Sequence, residues 1–243
     1  MAVVKGGTVA LIGSGEFLPP IAALDRQLIE RLTDSPRVVI VPTASAPDGP
    51  AIFQRWADQG VAHFAALGSV VEAVLIATRI DAEDPAMAKR LAGANFIYLS
   101  GGKPSYLLET LKGTASWQAI VDVFEAGGVV AGCSAGAMVL GGEVLDFPQI
   151  WRTLPGLALA PEVTVIPHFD EIPGILAELN YLFHRRTVVA GVEGTTALVR
   201  SPTGWTVLGR GGVSILTPQG RTRFTAGQAV PIEFNSASSD GWI

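Results

Sequence analysis

Short apolar runs alternate with longer amphipathic segments through the first 140 residues. This alternation restricts the fold more than any other feature of the chain. Thr8-Ile12, Arg37-Val41, Val70-Ile76, Asn95-Leu99 and Gly128-Ala131 read as short strands. Between them, Ala22-Leu32, Pro50-Leu67, Asp84-Ala92, Pro104-Leu111 and Ser116-Glu125 read as helices. Asp84-Pro85 and Lys103-Pro104 place proline near the first helical turn, where its missing N–H costs little. Strand and helix in turn predict an α/β fold of three layers, a parallel sheet with helices on both faces. After Gly141 the pattern changes. Thr164-Pro167 reads as a strand, Ile172-Phe183 as a helix and Thr187-Val192 as a strand. Thr195-Arg200, Trp205-Leu208, Val213-Leu216 and Arg221-Phe224 follow as short strands separated by Gly- and Pro-containing turns. That part is expected to be a C-terminal β-meander on the sheet edge.

The 243 residues carry one composition throughout, without linker or internal repeat, and fit a single domain over 1–243. Apolar residues make up 49% and charged residues 16%, enough to build a sizeable core and to exclude disorder. The formal charge is −5, and no basic run is longer than Arg185-Arg186, which argues against nucleic acid as a partner. The N-terminal stretch reads as a first strand, not a signal peptide. The longest uncharged stretch, Ala126 to Gly142, is broken by glycines and fits strand, turn and helix better than a membrane span. One cysteine excludes an internal disulfide, and three scattered histidines make a metal cluster improbable. The expectation is a cytoplasmic protein with no cofactor. The β-rich C-terminal part, with Trp205 and Trp242, is readable as a homodimer interface or as a plain sheet edge.

The strongest chemical signal is Gly132-Cys133-Ser134-Ala135-Gly136, a G-x-S-x-G between the apolar run Gly127-Ala131 and the helix-like Ala135-Leu140. Such a turn lifts a serine out of the sheet as a nucleophile, and the N–H of the next residue, Ala135, becomes a natural oxyanion donor. The competing reading is a glycine-rich turn whose serine caps a helix. Cys133, one position early, points to the other side of the turn and reads as a small buried residue. A serine needs a base. His168 ends a strand-like run and should emerge at the carboxyl edge of the sheet, beside Ser134. His63 lies within a helix, and His184 sits at a helix end. Glu193 follows the strand-like Thr187-Val192 and is the leading candidate to orient the histidine, in competition with Asp146, Asp170 and Glu171. Ser100-Gly101-Gly102-Lys103 follows another strand, so a second oxyanion donor could come from Gly101 or Gly102.

Taken together, GSGE (Gly13-Glu16), VPTAS (Val41-Ser45), YLSGGKP (Tyr98-Pro104), GCSAGAMVL (Gly132-Leu140), IPH (Ile166-His168) and GVEGTTALV (Gly191-Val199) resemble the serine peptidase family of peptidase E and cyanophycinase. The resemblance covers most of the chain. It implies the flavodoxin-like fold of class I glutamine amidotransferases, Ser134 as nucleophile and His168 as base. It also implies an oxyanion hole from Ala135 and the Gly101-Gly102 loop. Two departures stand out: Gly191-Val192-Glu193-Gly194 has one acid where the family often has two, and Ile172-Phe183 lacks the arginines of members that read aspartyl substrates. Lys103 and Arg185 are the remaining candidates to contact substrate.

The resulting expectation is a metal-independent serine hydrolase, of exopeptidase or dipeptidase type, that cleaves a small peptide or amide through an acyl-enzyme on Ser134. A non-catalytic protein binding a small anion at the same turn is the alternative. Nucleotide binding through Gly13-Ser14-Gly15 is weaker, because Leu18 stands where G-x-G-x-x-G needs its third glycine. A glutamine amidotransferase is disfavoured by a serine at the elbow.

Overall fold

The computed structural model describes residues 6–145, 153–172, 188–217 and 220–232. The alternating half of the sequence folds as β1 (Thr8–Ile12), α1 (Ala22–Ile29), β2 (Arg37–Val41), α2 (Pro50–Ala66), β3 (Val70–Ala73), α3 (Arg79–Glu83) and α4 (Pro85–Ala92). It continues with β4 (Phe96–Leu99), α5 (Pro104–Leu111), α6 (Ala115–Glu125), β5 (Val129–Cys133) and α7 (Ala135–Leu140). The remainder contributes β6 (Gly141–Leu145), β7 (Thr153–Pro155), β8 (Ala160–Ile166), β9 (Val188–Val192) and β10 (Thr196–Ser201). After these come β11 (Gly204–Gly209), β12 (Gly212–Thr217), β13 (Gly220–Thr225) and β14 (Ala229–Val230).

Five parallel strands in the order β1-β5-β4-β2-β3 form the heart of an eight-stranded sheet. Their side chains alternate between two cores, as a strand covered on both faces requires. Ala10, Ile12, Val38, Ile40, Phe96 and Tyr98 face one way, toward Leu24 and Leu28 of α1 and Phe64 of α2. Val9, Leu11, Val39, Val41, Ile97 and Leu99 face the other way, toward helices α4 to α7 and the second sheet. Helix starts follow local chemistry. Thr78 caps α3 with a capping box closed by Asp81, and Asp84 caps α4 ahead of Pro85.

The C-terminal strands depart from the expected meander. β10 and β11 form an antiparallel hairpin that continues the first sheet beside β1. The chain then leaves at Gly209, where φ is +106° and a Cβ would lie 2.2 Å from the Thr195 carbonyl oxygen. Strands β12 and β13 join a second, six-stranded sheet, order β13-β12-β9-β8-β6-β7. Trp205 on β11 is buried in the core shared with the second sheet, which removes it from any outer interface. Most of the helix expected over Ile172-Phe183 lies outside the described residues, as do Asp146, His184, Arg185, Arg186 and Trp242.

The parallel strands all end at one edge. β1, β4 and β5 of the first sheet and β8 and β9 of the second deliver to it the loops that carry the candidate residues.

Candidate active site

Ser134 occupies the single residue between β5 and α7, with φ 51° and ψ −111°. A non-glycine residue held there costs about 1–3 kcal/mol and persists only where its surroundings fix it. They do so here. The Ser134 N–H donates to the Ile12 carbonyl at 3.0 Å, and its own carbonyl accepts from the Met138 N–H at 3.0 Å. The flanking glycines are required by close approach: a Cβ on Gly132 would meet the Gly136 backbone at 2.4 Å, and one on Gly136 would meet the Leu99 carbonyl oxygen at 2.2 Å.

His168 follows β8 at φ 53°, itself a left-handed backbone. Its Nε2 lies 3.1 Å from the Ser134 Oγ, so a hydrogen bond joins residues carried by two different sheets. The other ring nitrogen, Nδ1, lies 3.3 Å from the Glu171 Oε1. The turn itself is pinned: the Glu171 N–H donates to the His168 carbonyl, and the Phe169 N–H donates to the Val192 carbonyl. Asp170 is committed elsewhere, its Oδ1 accepting the Gly194 N–H at 2.8 Å.

Glu193, expected to orient the imidazole, is held away from that task. Arg223 on β13 donates to it from Nε at 2.6 Å and from a terminal nitrogen at 2.7 Å, and the Gly212 N–H donates to Oε2 at 2.8 Å. The Arg223 hydrogen bond is the main reason its carboxyl is held below the usual range. Among the described carboxylates, Glu171 is the one within reach of His168.

Gly101 also departs from expectation. Its N–H donates to the Glu16 Oε1 at 3.0 Å and so does not face a substrate oxygen. Among the described residues, no acceptor engages the N–H of Gly102 or of Ala135. The Cys133 thiol, pushed well up by burial, keeps its proton and donates to the Glu16 Oε2 at 2.9 Å. It turns away from Ser134, as strand alternation requires. Lys103 caps the loop beside Gly102, its Nζ 2.9 Å from Asp48. His63 is engaged 2.7 Å from buried Asp25, whose carboxyl burial pushes up, on the opposite core. Among the described residues, no group of three or more His, Cys, Asp or Glu could hold a metal ion. Nor is any described helix long and apolar enough to cross a membrane.

This arrangement has relatives. The sequence profile of peptidase family S51 matches residues 9–200. The chain belongs to peptidase family S51. A crystal structure of a peptidase from an acI-B1 Actinobacterium superimposes with a TM-score of 0.85 at 33% identity, covering 93% of this chain and 97% of that one. A putative peptidase E protein from Listeria monocytogenes EGD-e shares the fold, with a TM-score of 0.65 at 20% identity over 84% of this chain and 99% of that one. A cyanophycinase from Synechococcus elongatus is 31% identical over 164 residues, 61% of this chain. The chain spans about half the length of that relative, 50%.

Within this S51 fold, two residues carry contacts that the sequence did not assign. Glu171 was one of four competing carboxylates, and only the tight turn after His168 distinguishes it. Glu16 appeared as part of the GSGE motif without a role of its own.

Proposed function

We propose that the chain is a serine-type peptidase or amidohydrolase acting on a small peptide or amide. The observation that carries this reading is the 3.1 Å contact between Ser134 Oγ and His168 Nε2, with the serine at a strained left-handed backbone. His168 Nε2 takes the hydroxyl proton as Oγ attacks the carbonyl carbon. The same nitrogen then protonates the leaving amine. Glu171 accepts from Nδ1–H, which fixes the tautomer that leaves Nε2 free to act as base. The N–H groups of Ala135 and Gly102 receive the oxyanion. Water, activated by the same histidine, clears the acyl-enzyme and regenerates the Ser134 hydroxyl.

Lys103 is the cation beside this loop that could meet a substrate carboxylate, at the expense of its contact with Asp48. Such a contact would make the enzyme an exopeptidase or dipeptidase. Cytoplasmic residence belongs to the same reading, and the one cysteine, a free thiol, is compatible with a reducing compartment.

Labelling with a fluorophosphonate probe tests the proposal. Wild type is expected to label, Ser134→Ala not at all, and His168→Ala far more slowly. A folded wild type that resists the probe but binds a small anion saturably would support the non-catalytic reading instead.

A further inference from the structure

We infer that Glu16 is a positioning residue that selects which glycine amide serves as the second oxyanion donor. The inference rests on the serine-hydrolase reading above.

Glu16 stands four residues beyond the end of β1, and its carboxylate reaches across the end of β5 to the loop after β4. These three strands are neighbours in the order β1-β5-β4, so one side chain ties the loops after β1 and β4 to the end of β5, next to Ser134. Glu16 is only 9% exposed. A carboxylate so deep needs donors, and it has two: the Gly101 N–H on Oε1 and the Cys133 thiol on Oε2. Neither contact belongs to the helices that build the fold. Both belong to residues beside the nucleophile. Cys133 precedes Ser134, and a Cβ on Gly101 would lie 3.4 Å from the Ser134 Cβ and 2.4 Å from the Glu16 Oε1.

The loop carries three successive N–H groups. The first, on Gly101, is committed to Glu16. The third, on Lys103, donates to the Ala44 carbonyl at 2.8 Å. Gly102 lies between them at φ +143°, where a Cβ would lie 2.3 Å from that same carbonyl oxygen. Two anchored amides on either side fix the orientation of the peptide that bears the Gly102 N–H. An oxyanion donor works only if it is held in place before charge develops. Glu16 supplies one of the two anchors and itself touches no reacting atom.

The test measures inactivation of the full chain by the fluorophosphonate, separating the limiting rate from the half-saturating concentration. Thermal melting of each variant is followed in parallel. Removing an oxyanion donor costs about 10²–10³ in rate. Loss of its anchor in Glu16→Ala is expected to slow the limiting rate by about 10- to 100-fold, with the half-saturating concentration unchanged. Glu16→Gln keeps a carbonyl oxygen for the Gly101 N–H and is expected within about threefold of wild type. If Glu16→Ala does not fold, Glu16→Asp carries the test, since its shorter side chain cannot reach both partners and should be slowed likewise.

Wild-type rates in the alanine variant (or in the aspartate variant, where that carries the test) would overturn the inference. So would a glutamine variant as slow as the alanine one, because charge and not the hydrogen bond would then be the active ingredient. A folded wild type that does not label removes the hydrolase reading and this inference together. A labelled wild type with indifferent Glu16 variants removes this inference alone.

Discussion

The two halves of the site are held in different ways. On the serine side, Ser134, Gly101 and Glu16 sit at the ends of adjacent parallel strands, buried or wedged between backbones, with neighbouring amides committed to fixed acceptors. On the histidine side, His168 and Glu171 sit in a short turn after β8, with side chains 40% and 66% exposed. The first half is fixed by close packing that admits no added methyl group. The second is fixed by a few hydrogen bonds in a turn open to water. The serine side is therefore the more tightly packed of the two, and the histidine side the more exposed to water.

Breaking either half at its reacting atom should have the largest effect. Ser134→Ala and His168→Ala are each expected to lower kcat by about a millionfold, and the double variant no further, because members of such a set act as a unit. Additive losses on steady-state kinetics would mean that the two residues act independently. The contrast sharpens at the carboxylate. A buried triad acid is worth about 10⁴ in kcat. Exposed Glu171 should matter less, and Glu171→Gln is expected to lower kcat by about 10- to 100-fold. An unaffected Glu171→Gln would mean that the imidazole is oriented by something else.

Packing on the serine side predicts a stability effect with no counterpart across the site. Gly136→Ala would drive a methyl group into the Leu99 carbonyl and should destabilise by about 2–3 kcal/mol in denaturant unfolding. The smallest effect belongs to Glu193. Its folded carboxyl is held below its ordinary value of 4.5, so its pairing stabilises the fold above that pH and is lost as the pH falls through the depressed value. Glu193→Gln should therefore melt slightly below wild type at neutral pH, by up to about 1 kcal/mol given the half-exposed Arg223. The gap should close under strongly acidic conditions, and kcat at neutral pH should stay within about threefold of wild type. A gap that widens in acid would contradict the ion pair.

The same contrast governs what could be read from the sequence. Ser134, Ala135 and Gly102 lie on strand-turn-helix units whose geometry follows from local pattern: an apolar run, a glycine and a helix start. His168 was legible because the end of a parallel strand is a definite place. The carboxylate that contacts His168 was not. Glu193 stands at the end of its strand as the pattern suggests, but its side chain is directed by Arg223, 30 residues later on a strand that pairs in the second sheet. That sheet was itself hidden. β6 begins at Gly141-Gly142 directly after α7, with no turn to announce it, and β7 is three residues long. The sharing of Gly101 and Cys133 by Glu16 depends on contacts 85 and 117 residues apart, a reach that periodicity does not record.

The left-handed backbone of Ser134 has a consequence for how such a chain drifts. Alanine at that position keeps the same unfavourable torsion, whereas glycine adopts it without steric penalty. Selection for durability alone would therefore replace the hydroxyl-bearing residue with glycine and leave a sturdier, inert relative. On the serine-hydrolase reading, the hydroxyl at Ser134 is what that awkward torsion is held for.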